Sequence, residues 1–216
     1  MKNKTTKNLI DALDEKYNAI HQDKNVYLEG LLHSKTINYW DYIHTDALLN
    51  LQIQRTNLPD EMVFIGYHQI NELVFKMILW ELQQIAVAEV LEVDFFKDKL
   101  MRVSRYFDML IASFSIMQDG MDVEQYNKFR HTLTPASGFQ SAQYRKIEFA
   151  STELINLIDA RFRETINRDT TVENALEHLY WQAAGKDYKT GKKSILLTNF
   201  EHRYKEEFIT FMKVYN

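Results

Sequence analysis

The segment FIGYHQINELVFK places Phe64, His68, Asn71, Glu72 and Phe75 on one face of a helix, polar groups among aromatic ones. His68 and Glu72 stand four residues apart, the spacing of two ligands to one metal ion or of a histidine satisfied by a neighbouring carboxylate. Further on, YNKFRHTL sets Tyr126 and Arg130 at the same spacing. A phenol and a planar guanidinium so placed can converge on one carboxylate, or Arg130 can pair on the surface with Glu124 or Asp122. Between two helical stretches lies TPASGFQSAQYRK, in which Pro135, Ser137 and Gly138 build a tight turn with free amides and a hydroxyl. The aromatic group Tyr39, Trp40 and Tyr42 reads either as core or as the wall of a pocket for a flat ligand. A di-metal carboxylate bundle would need Glu-x-x-His pairs. None occurs, and Asp41-x-x-His44 is the nearest approach.

These residues must be held by long helices. The chain has 216 residues with six Gly and two Pro, far below the usual roughly 7% and 5%. A sheet protein of this length would need many more turn residues. The expected elements are a short helix with an extended arm over residues 1–36, then a helix over 37–55 carrying Tyr39, Tyr42, Ile43, Asp46, Leu49 and Ile53 on one face. A long helix follows from TNLPDE, with Asn57 as cap and Pro59 in the first turn, running to about Ala88. Asp94 caps the next, whose apolar stripe runs from Leu100 to Met117, and a shorter one spans Asp122 to about Leu133. Residues 140–163 read as helix, and Thr170 with Glu173 and Thr198 with Glu201 form two capping boxes that open two more. The fold class expected is all-α, a helical bundle, with residues 37–216 as its main domain.

Composition excludes several functions. Twenty-six basic and thirty acidic residues give a net charge of −4, which argues against a nucleic-acid-binding surface. No cysteine is present, so there are no disulfides, thiolate metal sites or cysteine nucleophiles. No run approaches the ~18 apolar residues of a membrane span, and MKNKTTKNLI lacks the apolar core of a secretory signal. A cytoplasmic protein without membrane contact is the simplest expectation. Thirteen Phe, twelve Tyr and three Trp exceed what packing with Leu and Ala requires.

Taken together, YWDYIHTDALLNLQ, DEMVFIGYHQINELVFKMILWEL and FRHTLTPASGFQSAQYRKIEF, in this order and at these separations, resemble the haem-dependent tryptophan 2,3-dioxygenases, from about Tyr39 to Phe149. The resemblance implies an all-α homotetramer with haem b and its iron as cofactor. It implies L-tryptophan and dioxygen as substrates, with both oxygen atoms inserted across the indole C2–C3 bond to give N-formylkynurenine. By motif position, His68 resembles the catalytic histidine that hydrogen-bonds the indole N–H, and Phe64 the aromatic packed beside the indole. Arg130 and Tyr126 resemble the pair that clamps the substrate carboxylate. Tyr39, Tyr42 and Ile43 are similar to the residues walling the indole pocket, and Ser137 and Gly138 to the loop against the haem. The chemistry suits these roles: a buried carboxylate needs a paired cation, and an indole needs flat walls and one acceptor.

The family's proximal histidine, the ligand to the haem iron, has no match here. His178 and His202 are the histidines beyond SGFQS, and both read as helix-surface or capping residues. Two explanations follow, a fragment of a longer protein or a natural short relative that has lost haem or acquires its ligand otherwise. The fragment is the expectation, binding haem weakly or not at all by itself and with little activity. Two rivals to the enzyme remain: a helical protein that binds tryptophan or another indole without chemistry, and a structural oligomer whose aromatics are core.

Overall fold

The computed structural model describes residues 6–133, 138–187 and 189–215. They fall into two compact units that divide between Leu51 and Gln52. Among the described residues every regular element is helical, and the two β-bridges, Ile158 with Leu179 and Lys186 with Lys193, are isolated. The all-α expectation holds. No helix among these residues is long and apolar enough to cross a membrane.

The first unit contains α1 (Thr6–Asn18), α2 (Lys24–His33), α3 (Tyr39–Ile43) and α4 (Thr45–Leu48). Asp23 caps α2 by accepting the Asn25 N–H, Lys24 pairs with Asp14, and Tyr17 stacks on Tyr27 at 4.3 Å. None of the four helices buries a residue. The expected helix over 37–55 is broken: His44 takes φ 58°, ψ 43°, the left-handed region that histidine enters more readily than most residues. Its position ends α3 and starts α4, and after Leu48 the chain runs irregularly to the next helix, so Ile53 never joins that face.

The second unit is built on α5 (Asp60–Ala86), close to the expected length. Its start differs in detail, because Pro59 occupies the cap and Asn57 does not. The turn is held from inside the helix: the buried Glu61 carboxylate accepts the N–H groups of Arg55 and Thr56, at 2.8 and 2.7 Å, and the Thr56 hydroxyl at 2.6 Å. Against α5 pack α6 (Val93–Ser113), α8 (Val123–Phe129) and α9 (Ala142–Ser151), with the short α7 (Ser115–Gln118) between α6 and α8. Val74 and Ile78 of α5 and Ile147 of α9 are buried, covered by Val103, Phe107 and Leu110 of α6. The expected stripe ends there, since α6 stops at Ser113 and Ile111 and Phe114 are exposed. α6 also lacks the Asp94 cap, and Glu92 holds that position without a side-chain bond.

α9 is shorter than expected. Thr152 is extended, and Ile158 pairs with Leu179 in one of the bridges, with Asp159 N–H donating to His178 O at 2.9 Å. The helix ends at Ser151, and Leu154, Ile155 and Leu157 reach the larger core from a 3-10 turn, Leu154–Leu157. The two capping boxes are each displaced. Thr171, not Thr170, caps α10 (Val172–Leu176), and Ser194 serves α11 (Ile195–Tyr215) by accepting the Leu197 N–H at 3.2 Å. Phe149, Ile158, Leu179, Leu197, Phe208 and Met212 form the larger core around α11.

Two glycines are tightly bounded, Gly120 and Gly185, the latter by the Leu197 Cβ, which a Cβ there would meet at 2.8 Å. A Cβ on Gly120, just before α8, would lie 2.6 Å from the Ile116 carbonyl oxygen, whereas one on Gly66 of α5 meets nothing within 4 Å. Gly120→Ala is expected to lower stability by about 1–2 kcal/mol in urea unfolding. Gly66→Ala is expected to leave it unchanged or raise it by up to ~1 kcal/mol through helix propensity.

Candidate functional site

The structure brings four of the sequence-derived residues together, all in the second unit. Phe64 and His68 lie one turn apart on α5, their ring centroids separated by 4.1 Å. Tyr126 of α8 approaches Phe64 at 6.3 Å, and Arg130, at the end of α8, holds its guanidinium carbon 5.4 Å from the Tyr126 ring centre. Beneath them Phe129, fully buried, packs edge-on against Phe64 at 5.6 Å and Tyr126 at 5.5 Å. Phe129 was missed by motif reasoning, yet its position three residues after Tyr126 on the same helix marks it as the support of both rings.

Asymmetry in the imidazole bonding sets its chemistry. His68 Nδ1 lies 2.8 Å from the carbonyl oxygen of Phe64. A carbonyl can only accept, so Nδ1 carries the proton, and in the neutral ring Nε2 presents a lone pair outward as an acceptor. The metal-pair alternative loses its second ligand: the Glu72 carboxylate accepts the Gln143 amide at 2.8 Å, and Gln143 also donates to the Glu72 carbonyl at 2.8 Å. Among the described residues no group of three or more acidic or imidazole side chains is arranged for a metal ion.

Arg130 is not paired with the carboxylates considered for it. Asp122 caps α8 through the Gln125 N–H at 2.8 Å, and Glu124 binds Lys128 at 2.6 Å. The Arg130 guanidinium has no ion-pair partner among the described residues. It rests against Tyr126, and its planar fork is of the shape that takes a carboxylate in a two-pronged pair. His68 and Arg130 are both exposed, Phe64 and Tyr126 half-buried, so within this unit the four form an open face. Tyr126 also lines a separate apolar cavity of about 290 Å³ with Phe114, Met117 and Met121.

Tyr39, Tyr42 and Ile43 belong to the first unit, where their side chains are exposed. Ser137 lies outside the described residues. Gly138 opens a 3-10 turn, Gly138–Gln140, and is exposed, while the next residue, Phe139, is buried and stacks on Trp181 at 6.3 Å. His178 bonds through Nδ1 to the Asn174 carbonyl at 2.9 Å and meets Phe162 edge-on, and His202 is exposed on α11.

Comparison with known proteins supplies a frame for this geometry. The family model described as Tryptophan 2,3-dioxygenase matches residues 29–180. The tryptophan 2,3-dioxygenase of Ruegeria sp. (strain TM1040) is 44% identical over 117 residues, 52% of this chain and 40% of that protein. That of Polaromonas naphthalenivorans (strain CJ2) is 42% identical over 120 residues, 54% and 42% of the two chains. That of Sorangium cellulosum (strain So ce56) is 38% identical over 157 residues, 67% and 36%. The match spans less than half the length of each of these relatives.

Proposed function

Since the chain belongs to the tryptophan 2,3-dioxygenase family, we propose that its protein takes L-tryptophan and dioxygen and opens the indole ring between C2 and C3. The product is N-formylkynurenine, which keeps both oxygen atoms. In this reading His68 Nε2 accepts the indole N–H, Phe64 lies along the ring, and Arg130 with the Tyr126 hydroxyl holds the carboxylate.

The observation that carries the reading is the continuous run of neighbours Arg130, Tyr126, Phe64 and His68, with a cation that has no ion-pair partner among the described residues at one end and an outward-facing acceptor at the other. An aromatic amino acid has the complementary order of groups: carboxylate, flat ring, N–H donor. A phenol and a guanidinium on one helix give the carboxylate two donors of different reach, and Phe129 keeps both aromatic rings from turning away.

Haem b, which the family resemblance implies, supplies dioxygen activation when bound. The described residues fit the substrate side of such a group and not the side that holds the iron. The ring neighbours of His68 are Phe64 and Tyr67, and His178, whose Nδ1 bonds the Asn174 carbonyl and whose ring meets Phe162, matches no proximal-histidine motif and is not part of the face formed by Phe64, His68, Tyr126 and Arg130. No step of the reading therefore runs through iron. A homotetramer resident in the cytoplasm belongs to the same proposal.

Calorimetric titration tests it. L-tryptophan should saturate the chain, and His68→Ala should weaken it about fivefold, the worth of one neutral hydrogen bond. L-3-(benzothien-3-yl)alanine, in which sulfur replaces the indole N–H, should bind both proteins alike. Failure of L-tryptophan to saturate would overturn the reading. N-formylkynurenine absorbance from the haem-loaded, reduced protein separates catalysis from binding alone.

A further inference from the structure

Three hydrogen bonds close a ring across the N-termini of α5 and α8. The Asp60 carboxylate accepts the Asp122 N–H at 2.6 Å, the Asp122 carboxylate accepts the Gln125 N–H at 2.8 Å, and the Gln125 side-chain oxygen accepts the Asp60 N–H at 3.2 Å. Each residue thus offers one acceptor and one backbone donor, and each is used. Only the middle bond is local; the other two join residues 62 and 65 apart in sequence. Helix N-termini carry unsatisfied amides and partial positive charge, so carboxylates and amide oxygens settle there. Here two helices satisfy each other instead of capping separately.

From this ring we infer that Asp60 is a positioning residue, setting the register of α8 against α5 so that the carboxylate-binding and indole-binding groups stand at the right separation. The inference rests on the proposed function. Phe64 is one turn beyond Asp60, and Tyr126 is the residue after Gln125. The ring therefore sits one turn or less from the place where the two helices exchange aromatic contacts, Phe64 with Tyr126 at 6.3 Å and with Phe129 at 5.6 Å. Packing of flat rings alone tolerates sliding along the helix, because ring faces and edges are weakly directional. Hydrogen bonds to backbone amides are directional and stop that sliding. Pro59, at the cap of α5, has no N–H and makes no side-chain bond, so Asp60 is the first residue there able to serve as both donor and acceptor.

A ligand that bridges the two helices reads the register, and a ligand held by α5 alone does not. L-tryptophan engages both ends, whereas tryptamine lacks the carboxylate and engages only Phe64 and His68. The experiment is calorimetric titration of the wild-type chain, Asp60→Ala, Asp60→Asn and Gln125→Ala with both ligands. Asp60→Ala should bind L-tryptophan about fivefold more weakly with tryptamine unchanged, and Asp60→Asn, which keeps an oxygen acceptor, should recover most of the loss. Gln125→Ala opens the same ring from the other side and should follow Asp60→Ala. Unchanged L-tryptophan affinity in Asp60→Ala and Gln125→Ala, or equal losses for both ligands, would overturn the inference and leave the proposed function standing. A wild-type chain that L-tryptophan does not saturate would overturn both.

Discussion

Arg130→Ala is expected to weaken L-tryptophan binding by about 2 kcal/mol, roughly 30-fold, while leaving tryptamine binding nearly unchanged. The magnitude is that of a charged hydrogen-bonded pair at a site open to solvent, below what a sealed pocket would give. Selectivity for the carboxylate follows from the surroundings of the guanidinium. Asp122 and Glu124, the carboxylates nearest in sequence, are engaged by the Gln125 amide and by Lys128, so removing Arg130 strands no buried charge. Stability should change by less than ~0.5 kcal/mol, which keeps the binding loss separate from unfolding. Arg130→Lys keeps the charge and loses the planar fork, so an intermediate loss is expected. Equal weakening of tryptamine and L-tryptophan would show that Arg130 acts through the fold and not on the carboxylate.

Much of this site is legible in the sequence because its two halves are each local. His68 and Phe64, like Tyr126 and Arg130, are four residues apart on one helix, and helical spacing alone brings such pairs onto one face. Long α5 is equally legible, since only Gly66 interrupts a run of good helix formers. What spacing cannot convey is competition for a partner. Asp122 and Glu124 are both within reach of Arg130 by sequence, but an unsatisfied helix amide claims one and Lys128 the other. Glu72 has metal-ligand spacing to His68, yet Gln143, 71 residues away, takes its carboxylate. Helix ends fail for a similar reason. Thr170 and Thr198 satisfy the pattern of a cap, but Thr171 and Ser194 stand close by with the same chemistry, and tertiary packing chooses between them. The break at His44 depends on a backbone angle that no side-chain pattern announces. The clamp through Asp60 joins segments more than 60 residues apart, a separation at which local patterns carry no information.

The contact between α5 and α6 supports the largest stability effect. Glu81 and Lys99 are buried and meet at 2.7 Å, Lys99 also donates to Gln84 at 2.6 Å, and Arg102 reaches the other Glu81 oxygen at 3.5 Å from a half-exposed position. Glu81→Ala would leave the Lys99 ammonium buried with Gln84 and the Phe95 ring as its remaining company. The expected loss is about 3 kcal/mol, the lower end for breaking a buried pair because those contacts persist. Glu81→Leu combined with Lys99→Met removes both charges and should recover most of it. Acid should act in the same direction as the single change. Burial raises the Glu81 carboxyl, but the Lys99 hydrogen bond and charge, with Arg102, outweigh it and hold the group below its ordinary value of 4.5. The folded state thus binds this proton less readily than the unfolded one. Its stabilising contribution is complete above pH 4.5 and is lost as pH falls through the lower folded value. Urea unfolding between neutral pH and pH 3 should show the wild-type chain losing stability that the Glu81→Leu, Lys99→Met double variant no longer loses from this site. Parallel acid curves for the two proteins would show that the pair is not the origin of that pH dependence.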